Sequence, residues 1–134
     1  MIALILATVL IAASWYDMLN YHIPDWLTFP AIAAGLVLTQ NWLGALTGAL
    51  CMICVGCLGL AILKQETIGG GDVRLMAVVG SFLGCKIVLL SFFIAPLFAL
   101  LYGRMYARKK KELPYAPAIS LAAGVSYLWA SFIF

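Results

Sequence analysis

The sequence predicts an all-α, polytopic membrane fold: a bundle of about six transmembrane helices with both termini on the non-cytoplasmic side. Three observations lead there. The first is composition. Of 134 residues, 66% are hydrophobic and 10% are Asp, Glu, Lys or Arg, against roughly 45–50% apolar and about 25% charged in soluble domains. So few charges cannot cover a soluble core, which excludes a soluble enzyme, a disordered chain and a nucleic-acid binder reading bases from a basic face. The second is length, which at ~20 apolar residues per span admits about five or six helices in a single domain, residues 1–134, and no extramembrane domain. The third is where the charges fall. With six spans, the loops Asp17–Asp25, Lys64–Asp72 and Arg104–Glu112 share one side, and that side or its edge holds all basic residues except Lys86. By the positive-inside rule that side is the cytoplasm.

Taken in order, the first apolar run is Ile2 to Tyr16, closed by Asp17. No basic residue precedes it, so it is read as a span with its N-terminus outside rather than as a cleaved secretory signal. The second starts near Trp26 and runs to about Asn41, and the third covers Leu43 to Leu63, stopping at Lys64-Gln65-Glu66. The fourth is Val73 to about Gly84 and the fifth Ile87 to Gly103. Read as one helix, Leu75 to Gly103 would rise about 43 Å, long for a hydrocarbon core of about 30 Å. Gly84-Cys85-Lys86 offers a break, with Lys86 free to snorkel. A break there also keeps the basic loops on one face. The sixth run is about Ala116 to Phe134. Trp15, Tyr16, Trp26, Trp42 and Tyr102 lie near run ends, as interfacial aromatics do.

Three local patterns have plain readings. The stretch Arg104 to Lys111 carries five basic residues and reads as a solvated cytoplasmic loop. Cys51, Cys54 and Cys57 resemble stacked CxxC motifs, but Leu43 to Leu63 holds no charge and no histidine. They are expected to be small packing residues along one helix face, not a zinc or redox site. Gly44-Ala45-Leu46-Thr47-Gly48 and Gly80-Ser81-Phe82-Leu83-Gly84 are GxxxG patterns that allow close helix approach; the second is alternatively a flexible element behind Asp72, in which case Gly80→Leu impairs function while leaving expression intact.

Five acidic residues remain: Asp17, Asp25, Glu66, Asp72 and Glu112. Glu66 and Glu112 sit among basic residues in loops. Asp17 follows only about 22 Å of helical rise, so it lies at or inside the bilayer edge, where an ionisable residue is a functional-site candidate. Asp72 closes Gly69-Gly70-Gly71-Asp72. Alone it reads as the N-cap of the fourth helix after a flexible turn. Paired with Asp17 on the same face, it suits acid–base work. Two carboxylates at close range do not both ionise easily and share a proton. One then activates water while the other, protonated, polarises a scissile carbonyl. Such chemistry needs no metal, no serine nucleophile and no cofactor.

The sequence resembles the type IV prepilin peptidases, GxGD-type intramembrane aspartic peptidases that also include the archaeal preflagellin peptidases. Three stretches carry the resemblance: Asp17-Met18-Leu19-Asn20-Tyr21-His22-Ile23-Pro24-Asp25, Gly69-Gly70-Gly71-Asp72-Val73-Arg74, and the proline-containing lead-in to the last helix, Leu113-Pro114-Tyr115-Ala116-Pro117-Ala118. The resemblance implies that Asp17 and Asp72 are a catalytic dyad cleaving the short basic leader of a prepilin-, pseudopilin- or preflagellin-like substrate. Cleavage would occur at the cytoplasmic face of the plasma membrane, with the lipid bilayer as the other partner and no nucleic acid. Asp25, where family members often carry Asn, is expected to be the N-cap of the second helix. Pro24 fixes the turn, Arg74 pairs with an acidic group or a lipid headgroup, and His22 is a loop histidine near the site. Many bacterial members carry an added domain with paired CxxC motifs, associated with N-methylation. It is missing ahead of the first span here, so peptidase activity alone is expected. A different reading of the same aspartates is a small transporter or channel subunit using them as a proton relay. It leaves the glycine run and the Asp-to-Pro spacing without a reason. The oligomeric state has no signature in the sequence.

Overall fold

A computed structural model describes residues 1–20, 22–64, 70–106 and 116–133. Gly69, Glu66, Glu112, the residues Leu113, Pro114 and Tyr115 of the proline motif, and Arg108, Lys109, Lys110 and Lys111 of the basic stretch lie outside the described residues. The described residues form six helices: α1 (Ile2–Asn20), α2 (Asp25–Thr39), α3 (Trp42–Leu63), α4 (Gly70–Leu83), α5 (Cys85–Tyr106) and α6 (Ala116–Ile133). Three of them, Ile2–Asn20, Trp42–Ile62 and Ala116–Ile133, are long and apolar enough to cross a membrane. Asp25–Thr39 and Cys85–Leu101 are shorter apolar helices. The outer surface suits a lipid environment, with side chains such as Leu43, Leu100 and Phe132 standing 76%, 72% and 97% exposed; a large contiguous apolar surface of this kind needs an apolar solvent.

The helix limits have local causes. Pro24 occupies the N-cap position of α2 with an extended backbone (φ −70°, ψ 138°), a conformation its ring favours. Gln40 and Lys64 end α2 and α3 in the left-handed region, each returning its N–H to the carbonyl four residues back. Gly84 separates α4 from α5 at φ +86°, where L side chains are strained. The break expected at Gly84-Cys85-Lys86 is therefore present, and it divides what would otherwise be one helix too long for the bundle.

The short helix α4 lies at the centre and touches each of the other five. Its eight consecutive residues Leu75 to Phe82 are all buried, a pattern with no exposed stripe, as expected for a helix surrounded on every side. Small residues make the enclosure close. A Cβ on Gly44 of α3 would collide with the Gly80 carbonyl of α4, and one on Gly80 would collide with the Gly44 carbonyl. Gly48 faces the Met76 carbonyl in the same way. The two GxxxG patterns thus pack against each other across one interface. On the other flank, Gly35 of α2 leaves room for Ser81, and the Thr39 hydroxyl donates to the Ser81 carbonyl.

Several expectations need correction. Asp17 does not close α1; the helix runs on to Asn20, so the carboxylate lies within its last turn. Asp72 is not the residue that caps α4 from outside, since α4 begins at Gly70 and Asp72 sits in its first turn. Asp25 is the first residue of α2, with Pro24 at the cap position and no side-chain cap bond. Gly80 is packed backbone to backbone against α3, which argues against a flexible hinge there. Of the three cysteines along α3, Cys51 is half-buried while Cys54 and Cys57 are exposed, so of these three only the first contributes to packing inside the bundle.

Gly80→Leu should therefore force α3 and α4 apart and lower stability by about 1–3 kcal/mol or more. Gly124→Ala, where an added Cβ meets open space, should be neutral or slightly stabilising. Thermal unfolding of the detergent-purified variants compares the two; similar transition temperatures would contradict the packing account.

Candidate active site

Four helix ends meet at one end of the bundle: the last turn of α1, the start of α2, and the first turns of α4 and α6. There, α1, the α1–α2 connection and α4 line a cavity of about 180 Å³ through Asp17, His22, Ile23, Gly70, Gly71, Asp72 and Arg74. A water molecule's share of liquid volume is about 30 Å³, so the cavity admits several waters or a short length of peptide. Asp17 and Asp72, 55 residues apart in sequence, line this same cavity from α1 and α4. A larger cavity, about 550 Å³, lies at the opposite end between the α4–α5 break and α6, lined by residues such as Gly84, Lys86 and Tyr127. It contains no carboxylate, so the smaller one is where acid–base chemistry has its groups.

Asp17 is 6% exposed, the one buried ionisable side chain among the described residues. A carboxylate in an apolar bundle needs donors to offset its desolvation. Part of that need is met by the first peptide of α6: the Ala116 N–H donates to Asp17 Oδ2 at 2.9 Å. The leading N–H groups of a helix have no partner within the helix, and its N-terminus carries partial positive charge. The carboxylate and the amide each supply what the other lacks. One turn further along, Ser14 and Ser120 hydroxyls are 2.8 Å apart, joining α1 to α6 again.

Asp72 is half-buried in the first turn of α4, where an acidic side chain complements the helix dipole. Gly71 beside it serves a steric purpose: a Cβ there would come within 3.1 Å of the Ile23 side chain. Ile23, 2% exposed, thus packs against the glycine turn and sets how closely the α1–α2 connection approaches Asp72. Gly70 meets no such neighbour. Arg74 forms an ion pair with Asp25 at the start of α2 and lies over the Phe29 ring, 5.1 Å from its centroid. The pair draws α4 and α2 together at the cavity rim. Tyr16 of α1 and Trp26 of α2 pack edge to face at 5.8 Å, joining those two helices beside it.

The structure thus brings together Asp17, Asp72, Gly70, Gly71 and Arg74, with His22 as a further lining residue, and sets Pro24 and Asp25 at the adjoining helix start. Two contributors were not visible in the sequence as such. Ile23 reads there as part of a turn, and the Ala116 amide has no side-chain signal at all. The proline-containing lead-in to α6 marks the place without showing what it does. No group of three His, Cys, Asp or Glu able to hold a metal is found among the described residues.

Comparison with known proteins bears on this site. Residues 4–104 match the family described as the type IV leader peptidase family. A prepilin leader peptidase/N-methyltransferase of Bacillus subtilis is 32% identical over 98% of this chain and 56% of its own length. Proteins of the same name from Aeromonas salmonicida and Xanthomonas campestris are 28% and 27% identical, over 98% and 96% of this chain and 50% of their own lengths. The chain spans about half the length of these curated relatives. No solved structure matches it.

The two acidic contacts should differ in their energetic weight. Asp25→Asn removes an ion pair whose partners are 34% and 56% exposed, so it should cost no more than about 1 kcal/mol. Asp17→Ala leaves a buried amide without its acceptor and should cost about 1–3 kcal/mol. Thermal or denaturant unfolding in detergent checks the order; an Asp25 effect equal to the Asp17 effect would be the wrong result.

Proposed function

Because the chain belongs to the type IV leader peptidase family, we propose that it is a membrane-embedded aspartic endopeptidase removing the short basic leader of a prepilin-like substrate, with Asp17 and Asp72 as its acid–base pair. The observation that carries the residue assignment is the shared cavity: two carboxylates from different helices line one small space at a bundle end. A pair of carboxyl groups at close quarters holds one proton between them. The ionised member takes a proton from water as the water oxygen adds to the scissile carbonyl carbon. The protonated member donates to the carbonyl oxygen. Collapse of the tetrahedral intermediate breaks the C–N bond, and the amine leaves with a proton returned from the pair. The step needs neither metal nor cofactor.

The surrounding residues have supporting roles in this reading. Gly71, lacking a Cβ, lets the Ile23 side chain pack against the turn that leads to Asp72, and Pro24 sets the turn into α2. The Asp25–Arg74 pair braces α2 against α4 beside the cavity. The charge distribution supports six membrane crossings in one peptidase domain, residues 1–134, with the Asp17 and Asp72 end at the cytoplasmic face of the plasma membrane and both termini outside. That orientation brings the cavity to the side on which a basic leader remains. The substrate class is a short basic leader followed by an apolar helix, as in prepilin-, pseudopilin- or preflagellin-like proteins, and the proposed activity is peptidase activity.

Detergent-purified protein incubated with a prepilin-like substrate tests the assignment. Asp17→Asn and Asp72→Asn should each lower leader removal by more than about a hundredfold while the protein stays folded, and Asp25→Asn should keep most of it. Cleavage surviving the loss of both Asp17 and Asp72 would sink the proposal.

A further inference from the structure

We propose that α6 is part of the active site: its first peptide N–H, at Ala116, is a positioning group that fixes the Asp17 carboxylate for reaction, and Ser14 and Ser120 hold that amide in place. The inference rests on the reading of Asp17 and Asp72 as the acid–base pair. It concerns a helix that lies beyond the residues matched by the family, 4–104.

The geometry is specific. Ala116 N–H meets Asp17 Oδ2 at 2.9 Å, and both residues are buried, Ala116 completely. A carboxylate side chain has two torsions free to turn about. A bond from one oxygen to a backbone amide, which is itself fixed by the helix, removes most of that freedom. Pre-ordering a reacting group in this way is a recognised source of rate. The amide in turn is held by a second contact on the same pair of helices. The Ser120 hydroxyl, one turn into α6, lies 2.9 Å from the Ala116 carbonyl, 2.8 Å from the Ser14 hydroxyl and 3.3 Å from the Leu10 carbonyl of α1, and shares its single proton among them. Ser14 bonds to the same Leu10 carbonyl at 2.8 Å. Two successive turns of α6 are therefore registered against two turns of α1, and the lower one ends at the carboxylate. Buried small residues along α6, Ala116, Ala122, Ala123 and Ser126, let the helix come close enough for both contacts.

The test separates the amide from the side chain that carries it. Ala116→Pro removes the N–H at the first helical position, where proline is best tolerated. Ala116→Gly keeps it. With a synthetic peptide of a short basic leader and ~20 apolar residues as the probe, kcat should fall about ten- to a hundredfold in Ala116→Pro, with KM little changed. Ala116→Gly should stay within about threefold of the parent. Ser120→Ala, which contains no new proline, should lower kcat in the same direction by a smaller factor and serves if the proline variant fails to fold. Equal kcat in the Pro and Gly variants, or a folded Ser120→Ala variant with unchanged kcat, would overturn the role of α6. These outcomes leave the acid–base pair standing, because that reading is tested separately by the Asp17 and Asp72 variants. If the probe is not cleaved by the parent chain, the ¹⁵N–¹H resonance of Ala116 decides. It must shift on Asp17→Ala, and an unmoved resonance would show that the amide does not hold the carboxylate.

Discussion

Backbone-on-backbone contact around α4 is the constraint on which the rest of the structure depends. Gly44 and Gly80 approach until neither has room for a Cβ, Gly48 repeats the arrangement against the Met76 carbonyl, and Gly35 of α2 leaves room for the Ser81 and Phe82 side chains. In an apolar solvent, helices gain little from hiding apolar side chains, because lipid is as apolar as leucine. Close van der Waals packing and interhelical hydrogen bonds must do the work instead. Once α4 is seated this way, its N-terminal turn has a fixed position, and Asp72 in that turn is placed relative to α1 and α2. The glycines far from the cavity thus set the geometry at the cavity.

The second constraint is the buried charge. Asp17 has moved a carboxylate into the interior of a bundle that otherwise buries only apolar and hydroxyl side chains among the described residues. Such a group is tolerated where hydrogen bonds replace water. The α6 N-terminus supplies one of them at no cost to its own helix, since that N–H would have been unpaired. The same carboxylate therefore connects two matters: it ties the last helix to the first, and it lines the cavity opposite Asp72. In the proposed function, one residue both stabilises the bundle and takes part in the chemistry.

Much of the fold was legible because lipid-facing helices have a strong signal. Apolar runs bounded by Lys64, Asp72 and Arg104 locate most of the helices to within a few residues, and Gly84 announced the break that makes α4 short. The helix starts were less legible. Asp17 reads as an end and Asp72 as a cap because a charge after an apolar run looks like a boundary; within the bundle, Asp17 has a donor on α6 and the helix need not stop. Asp25 likewise reads as a cap, but Arg74 of α4 competes for its carboxylate and Pro24 takes the cap position. The three cysteines read as one packing face, yet the rotation of α3 is set by Gly44 and Gly48 against α4, which leaves Cys54 and Cys57 outside.

By itself, the sequence determined the helical membrane class, the order of the elements and the identity of the two aspartates worth watching, since composition and motif spacing are properties of the chain alone. Only the tertiary structure decided that α4 is the enclosed central helix, that the two GxxxG patterns face each other, that Arg74 belongs to Asp25, and that a backbone amide of α6 reaches Asp17. The physical reason is common to all four. Each depends on the rotation and depth of one helix relative to another, and those are set by steric fit and hydrogen-bond partners from distant parts of the chain, which no local pattern encodes.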